Sequence, residues 1–261
     1  MLVLLSPAKS LDWSAAPGVS TTAPRLSDDI GVLMNVTRRL SASKLKQLMG
    51  ISDDLATLNH ERFQAMTGDP DGDAARPAAL AFNGDVYQGL DARSLSPDQL
   101  AWAQDHVAIL SGLYGVLRPL DAIEPYRLEM GTRLETRRGG SLYDFWGDRV
   151  TRVLNRQLAD RDAPVVVNLA SNEYWRVVKT KQLKAPVVTP VFWEEWDGKQ
   201  RPISFYAKRA RGAMARWIVT ERVDDPADLR GYDGDGYKLF EEKSSDDRLV
   251  FMRPKPPPMN G

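Results

Sequence analysis

At 261 residues, 43% of them hydrophobic, the chain is long enough to bury a substantial core as one large domain or two small ones. It has no cysteine and two histidines, which excludes a disulfide framework, a thiolate nucleophile and a sulfur-ligated zinc or iron cluster, and leaves little material for a multi-histidine metal site or a serine, histidine, acid triad. Thirty-five basic residues balance thirty-five acidic ones, and the short apolar start MLVLLSPAKS, with no later run of about 18 apolar residues, argues for a cytoplasmic chain without leader or membrane span.

Leu2 to Leu5 reads as a buried strand that ends at Ser6 and Pro7. Leu26, Ile30, Leu33, Thr37 and Leu40 keep helical spacing, with Ser27 as the expected N-cap and Asp28 and Asp29 in the first turn. A short helix follows from Ser43 to Met49, closed by Gly50, and another opens at Ser52. Ser96, Pro97, Asp98 and Gln99 spell a capping box with proline at the first helical position, which predicts a helix over Pro97 to Leu110. Ser141 opens a further helix that buries Leu142, Phe145, Val153, Leu154 and Leu158, and Val165 to Leu169 is a second inner strand. Val187 to Trp196 and Gln200 to Tyr206 flank the hairpin turn Asp197-Gly198, and a helix from Lys208 to Thr220 comes next. No linker interrupts the chain before Arg253. The expected fold is therefore α/β (mixed α+β), a single domain over residues 1–253 with a mixed β-sheet surrounded by helices, followed by a flexible tail over 254–261.

Zero net charge conceals an uneven distribution. From Arg176 to Arg222 eleven basic residues face four acidic ones, a local excess of seven. Arg201 to Val219 alone carries Arg201, Lys208, Arg209, Arg211 and Arg216 with no acid, interleaved with Phe205, Tyr206 and Trp217. Guanidinium forks suit phosphate oxygens and aromatic faces suit bases, so this stretch fits polyanion recognition as well as a solvated helix face. Two acidic loops fail as calcium sites: Asp69, Asp71 and Asp73 have Ala74 in the glycine position, and Asp233 and Asp235 are followed by Lys238 there. No Walker loop and no GxGxxG occurs, so no nucleotide cofactor is implied.

Four polar clusters remain. Ser6 to Ser10, with Lys9, follows a buried strand, where ligands sit in α/β sheets. Asn83 to Tyr87 gathers an amide, Asp85 and the Tyr87 phenol around a glycine, which loop capping would also explain. Ser111 to Pro119 sets Gly112 and Gly115 three apart ahead of Arg118, a hairpin able to offer backbone N–H groups to one phosphate. Pro125 to Gly131 follows, with Arg127 free to meet a phosphate or to pair with Glu129.

Taken together, the blocks MLVLLSPAKSLDW, FNGDVYQGL, LSGLYGVLRPLDAIEPYRLEMG, LYDFWGD, VVNLASNEYW and ISFYAKRARGAMARWIV resemble the bacterial YaaA family of peroxide stress resistance proteins, nearly end to end. The resemblance implies a cytoplasmic protein of the hydrogen peroxide response, tied to limiting free iron and protecting DNA. It further implies DNA binding through a positively charged cleft and a helix, hairpin, helix element. On the matching blocks this makes Gly112, Gly115, Arg118, Arg127, Lys208, Arg209, Arg211 and Arg216 the expected DNA-binding residues, with Lys9 as a further phosphate contact. Either Ser111 to Arg118 or Glu173 to Lys184 supplies the hairpin; the glycines favour the first.

Two functions follow. A binding protein would hold duplex DNA, branched and damaged forms included, mainly by its phosphates, without metal or cofactor. An enzyme acting on a nucleobase or nucleic acid would use Lys9 as amine nucleophile or proton donor, Asp85 as base and Tyr87 in support. The binding protein is the preferred reading. Direct iron capture would need clustered carboxylates, which select Fe(II) poorly.

Overall fold

In the computed structural model, residues 1–16, 18–68 and 74–256 are described. The first strand, β1 (Leu2–Leu5), is buried along its whole length, as a four-residue apolar run must be when both faces of its sheet are covered. It is followed by the short β2 (Ser10–Leu11) and by α1 (Ser27–Thr37), whose first residue is Ser27; the cap position falls on Leu26, with no side-chain cap bond. Next, α2 (Ala42–Met49) closes on Gly50 at φ 62°, and α3 (Asp53–Ala65) opens on Ser52, whose hydroxyl accepts from the Leu55 N–H. The middle of the chain forms β3 (Arg76–Pro77), α4 (Ala78–Ala81), β4 (Phe82–Asn83) and α5 (Asp85–Leu90).

The capping box at Ser96 and Gln99 forms as read and starts α6 (Pro97–His106). That helix stops four residues before the expected Leu110, because Val107 onward is β5 (Val107–Ser111), paired in parallel with β1. A run of four apolar residues fits a strand as well as a helix, and hydrogen-bonding partners on β1 decide. A tight turn leads to β6 (Gly115–Leu117), and β7 (Ala122–Ile123) follows. The helix opened by Ser141 is two helices, α7 (Leu142–Trp146) and α8 (Arg149–Leu158), broken at Gly147, whose φ is 53°. Then come β8 (Val166–Asn168), α9 (Asn172–Trp175), β9 (Val187–Trp196) and β10 (Lys199–Arg201). The second hairpin strand is shorter than expected. Pro202 cannot donate to the ladder, and α10 (Ser204–Glu221) begins already at Ser204 rather than Lys208. The described chain closes with β11 (Lys238–Leu239) and β12 (Arg248–Pro254).

Eight strands form one mixed sheet in the order β11, β12, β9, β8, β1, β5, β6, with β10 on the edge of β9; β2 pairs with β4 and β3 with β7. The central five, from β12 to β5, run parallel, while β6, β10 and β11 pair antiparallel. This is the mixed α/β single domain that the sequence predicts. Pro254 ends β12, and the Lys255 N–H donates to the Glu195 carbonyl at 2.9 Å, so the ordered chain reaches past Arg253. Residues 257–261 of the expected tail and the rejected calcium loop at Asp69, Asp71 and Asp73 lie outside the described residues.

Candidate functional site

The chain leaves β1 for β5 on one side and later returns to β8 on the other, so a crevice is expected outside the carboxyl end of β1. A cavity of about 450 Å³ opens there. Its floor is the joint between the two strand ends: the Ser171 N–H donates to Ser6 Oγ at 2.9 Å, and the Ser6 hydroxyl lies 3.3 Å from Ser171 Oγ. The loop after β1 brings Lys9 and Ser10, and the pairing of Ser10 with Asn83 draws the β4 to α5 turn, with Gly84 and Asp85, onto the rim.

The opposite wall is set by a close crossing of α5 and α10. A Cβ placed on Gly212 would lie 1.7 Å from the Val86 carbonyl oxygen, and one on Gly89 would lie 2.1 Å from the Arg209 carbonyl oxygen. Only glycine on both helices lets the backbones meet. This contact puts Asp85 and Val86 beside Lys208 and Arg211, which stand one turn apart on the cavity side of α10.

The charges around the cavity are mostly paired. Lys9 Nζ sits 2.7 Å from Glu129 Oε2, and Arg127 Nη2 holds Glu129 Oε1 at 3.0 Å. Glu173 Oε1 accepts from the Gly131 N–H at 2.9 Å. Lys208 Nζ is 3.8 Å from Asp85 Oδ2. Arg211 is the exception: among the described residues it has no hydrogen bond and no ion pair, and burial lowers its pKa from the usual guanidinium range. The Tyr87 hydroxyl donates to the Ser6 carbonyl at 3.0 Å, and burial, then Tyr126 and Tyr174, pushes its pKa well up. Tyr87 is thus a fixed, protonated donor.

Of the expected catalytic and DNA-binding residues, Lys9, Asp85, Tyr87, Lys208 and Arg211 converge on this cavity, and Gly112, Gly115, Arg118, Arg127, Arg209 and Arg216 do not line it. Arg127 reaches only its back, through Glu129. The glycine hairpin requires a correction. Ser111 to Leu117 is a buried β-hairpin, not a helix, hairpin, helix element. Gly112 packs against the Leu128 carbonyl and accepts from Trp146 Nε1–H at 2.9 Å, while Gly115, at φ 69°, packs on the Trp146 ring; both are buried, so neither stands open to a phosphate. Arg118 is held by Asp121 at 2.9 Å. Arg209 lies 3.8 Å from Asp235, and Arg216 donates to the Leu90 and Asp91 carbonyls at 3.1 and 2.8 Å, closing the end of α5. A helical hairpin does exist between α2 and α3, but Asp53 and Asp54 occupy the first turn after its loop, where a phosphate would be repelled. Both histidines are structural in bearing: His60 Nδ1 meets the Leu40 carbonyl, and His106 stacks on Trp102 at 3.7 Å. Among the described residues no three His, Asp or Glu side chains are grouped to hold a metal ion.

A second feature is a cationic ridge. Thr151 and Asn155 on α8 bind the backbone of the following segment: the Lys179 N–H donates to Thr151 Oγ1 at 2.8 Å, and Asn155 bridges the Gln182 carbonyl and the Lys184 N–H. Lys179, Lys181 and Lys184 are thereby held along the segment bound to α8, which carries the exposed Arg156 next to Asn155, and Arg176 lies over the Tyr143 ring just before them. Among the described residues none of these five forms an ion pair. The local charge excess points to this segment in the sequence; the share from α8 is visible only in the fold.

A family model described as peroxide stress protein YaaA matches residues 1–243 of the chain. A UPF0246 protein of Phenylobacterium zucineum is 54% identical over 259 residues, covering 99% of this chain and 97% of its own. UPF0246 proteins of Ruegeria pomeroyi and Burkholderia thailandensis are 54% and 53% identical, each covering 97% of this chain and 99% and 98% of their own lengths. No helix is long and apolar enough to cross a membrane among the described residues.

Proposed function

Because the chain belongs to the family of peroxide stress protein YaaA, we propose that it serves the peroxide stress response by binding DNA through the phosphate backbone. The reading is carried by the cationic ridge of α8 and Lys179 to Lys184, where cations without carboxylate partners among the described residues stand on two elements tied together by Asn155. Such a row contacts phosphates and not base edges, so it binds duplex, branched or damaged DNA with little sequence preference. Binding releases cations condensed on the phosphates. Fe(II) is among those displaced, which is how occupancy would limit iron-driven damage.

Mobility shifts over a salt series test this. The wild-type protein is expected to bind unrelated duplexes alike, with log affinity falling linearly against log salt. Arg156→Glu, Lys181→Glu and Lys184→Glu combined should weaken every duplex by at least about tenfold and reduce the salt slope by about three. Unchanged shifts in this variant would refute the assignment. The pair Arg209→Glu with Arg211→Glu reports any share of α10, which the ion pair of Arg209 with Asp235 reduces.

One observation favours an enzyme as the second reading: Lys9 and Asp85 line the same cavity. An aldehyde on damaged nucleic acid would be attacked by the Lys9 amine, losing water to give a Schiff base, after Lys9 passes a proton to solvent or Glu129. Borohydride trapping on oxidised DNA should then give a covalent adduct that Lys9→Ala abolishes; absence of adduct in the wild type removes this reading.

A further inference from the structure

The cavity between β1, β8 and α10 poses a question that the ridge does not answer. Arg211 is a half-buried guanidinium lining a cavity of about 450 Å³, with no acid and no carbonyl to meet it among the described residues. A half-buried cation without a protein partner has lost part of its hydration, and an anion entering the cavity offsets that loss. Lys208, one turn before it on α10, gives a second positive charge whose acid, Asp85, stands off at 3.8 Å. On the far wall Lys9 and Arg127 already neutralise Glu129, and Glu173 is engaged with the Gly131 N–H. Lys9, Lys208 and Arg211 line the cavity with Asp85, Glu129 and Glu173, and Arg211 is the cation among them that has no partner among the described residues. Hydroxyls of Ser6, Ser10 and Ser171 and the Asn83 amide line the same space. A cavity of this size holds a small organic molecule, not a bare oxyanion alone.

We infer that this cavity binds a small phosphate-bearing ligand of mononucleotide size, its phosphate forked by Arg211 and steadied by Lys208. Two cations one helical turn apart match the double charge of a phosphomonoester, and guanidinium geometry fits two of its oxygens at once. Glu173 and Asp85 are left to accept from donor groups on the rest of the ligand. The site is separate from the ridge and does not depend on the DNA reading.

Titration calorimetry on the full chain tests it with four probes: inorganic phosphate, a deoxynucleoside monophosphate, the matching nucleoside, and a short oligonucleotide with and without a 5′-phosphate. The monophosphate is expected to bind at least tenfold more tightly than the nucleoside. Arg211→Met should abolish that difference, Arg211→Lys should restore part of it, and Arg156→Glu with Lys181→Glu and Lys184→Glu should leave it intact. If the 5′-phosphorylated oligonucleotide binds as tightly as the free monophosphate, the phosphate can arrive on a nucleic-acid end; if only the free monophosphate binds, it arrives as a metabolite. Both outcomes keep the phosphate site. Equal affinity for monophosphate and nucleoside, no binding of either, or undiminished binding by Arg211→Met would overturn it. Should Arg211→Met fail to fold by circular dichroism, Lys208→Met is read in its place, with a loss of at least threefold expected.

Discussion

Gly212→Ala is expected to lower the thermal midpoint by about 6–12 °C, the shift that about 3 kcal/mol of destabilisation produces in a chain of this size. The new methyl carbon would lie 1.7 Å from the Val86 carbonyl oxygen and 2.8 Å from the Leu90 nitrogen, atoms of the facing helix backbone that cannot swing aside. The helices α5 and α10 must separate, and overpacking that moves backbone sits at the upper end of the usual 1–3 kcal/mol or above it. Gly89→Ala, whose methyl would meet the Arg209 carbonyl oxygen at 2.1 Å, should behave alike. Gly31→Ala is the control. It lies within α1 with open space around it, so removing a flexible residue from a helix should cost nothing or stabilise by up to about 1 kcal/mol. Circular dichroism melts decide the matter, and equal midpoints for wild type and Gly212→Ala would contradict the crossing. The same change spreads Asp85 from Lys208 and Arg211, so ligand binding in the cavity should fall with stability.

Glu194→Ala is expected to cost about 3–5 kcal/mol, the range for removing one partner of a buried ion pair. Glu194 lies on β9 with its side chain at 0% exposure, facing Arg253 at 3.8 Å, itself only 11% exposed. One carboxylate oxygen accepts from the Tyr237 hydroxyl and the other from the Ile203 N–H at 3.0 Å. Truncation strands three groups at once: a guanidinium, a phenol and the backbone N–H just before α10. Arg253 would keep its stacking on Tyr237 and Tyr206 and its bond to the Asp235 carbonyl, none of which supplies a counter-charge. Glu194→Gln retains an acceptor and should lose less. Glu194→Leu with Arg253→Met removes both charges and should recover much of the loss, since buried ion pairs exchange for apolar packing at little cost. Denaturant unfolding of the wild type, Glu194→Leu, Arg253→Met and the double variant gives the cycle, and additive losses in the double variant would refute the pair. Burial, followed by Glu194 itself, pushes the Tyr237 pKa well up, so its hydroxyl stays a donor throughout the neutral range.

Much of this molecule is written locally. The box at Ser96 and Gln99, the cap at Ser52 and the left-handed Gly50 each depend on residues within four positions, and each forms as read. The turn Asp197-Gly198 has φ values of 52° and 66°, as its residue types demand, and the apolar runs that become β1 and β8 needed no partner to be recognised. The motif blocks also announced the family. Other features were closed to a linear reading because their partners are distant. Val107 to Leu110 became a strand when β1 offered its edge, over a hundred positions earlier in the chain. The fate of each cation depended likewise on which acid the fold delivered: Glu129 to Lys9, Asp121 to Arg118, Asp235 to Arg209, and, among the described residues, none to Arg211. Composition and spacing determined that positive charge would gather between Arg176 and Arg222. Tertiary structure decided which of it stays free, because electrostatic attraction acts through space over a few ångströms, whatever the separation along the chain.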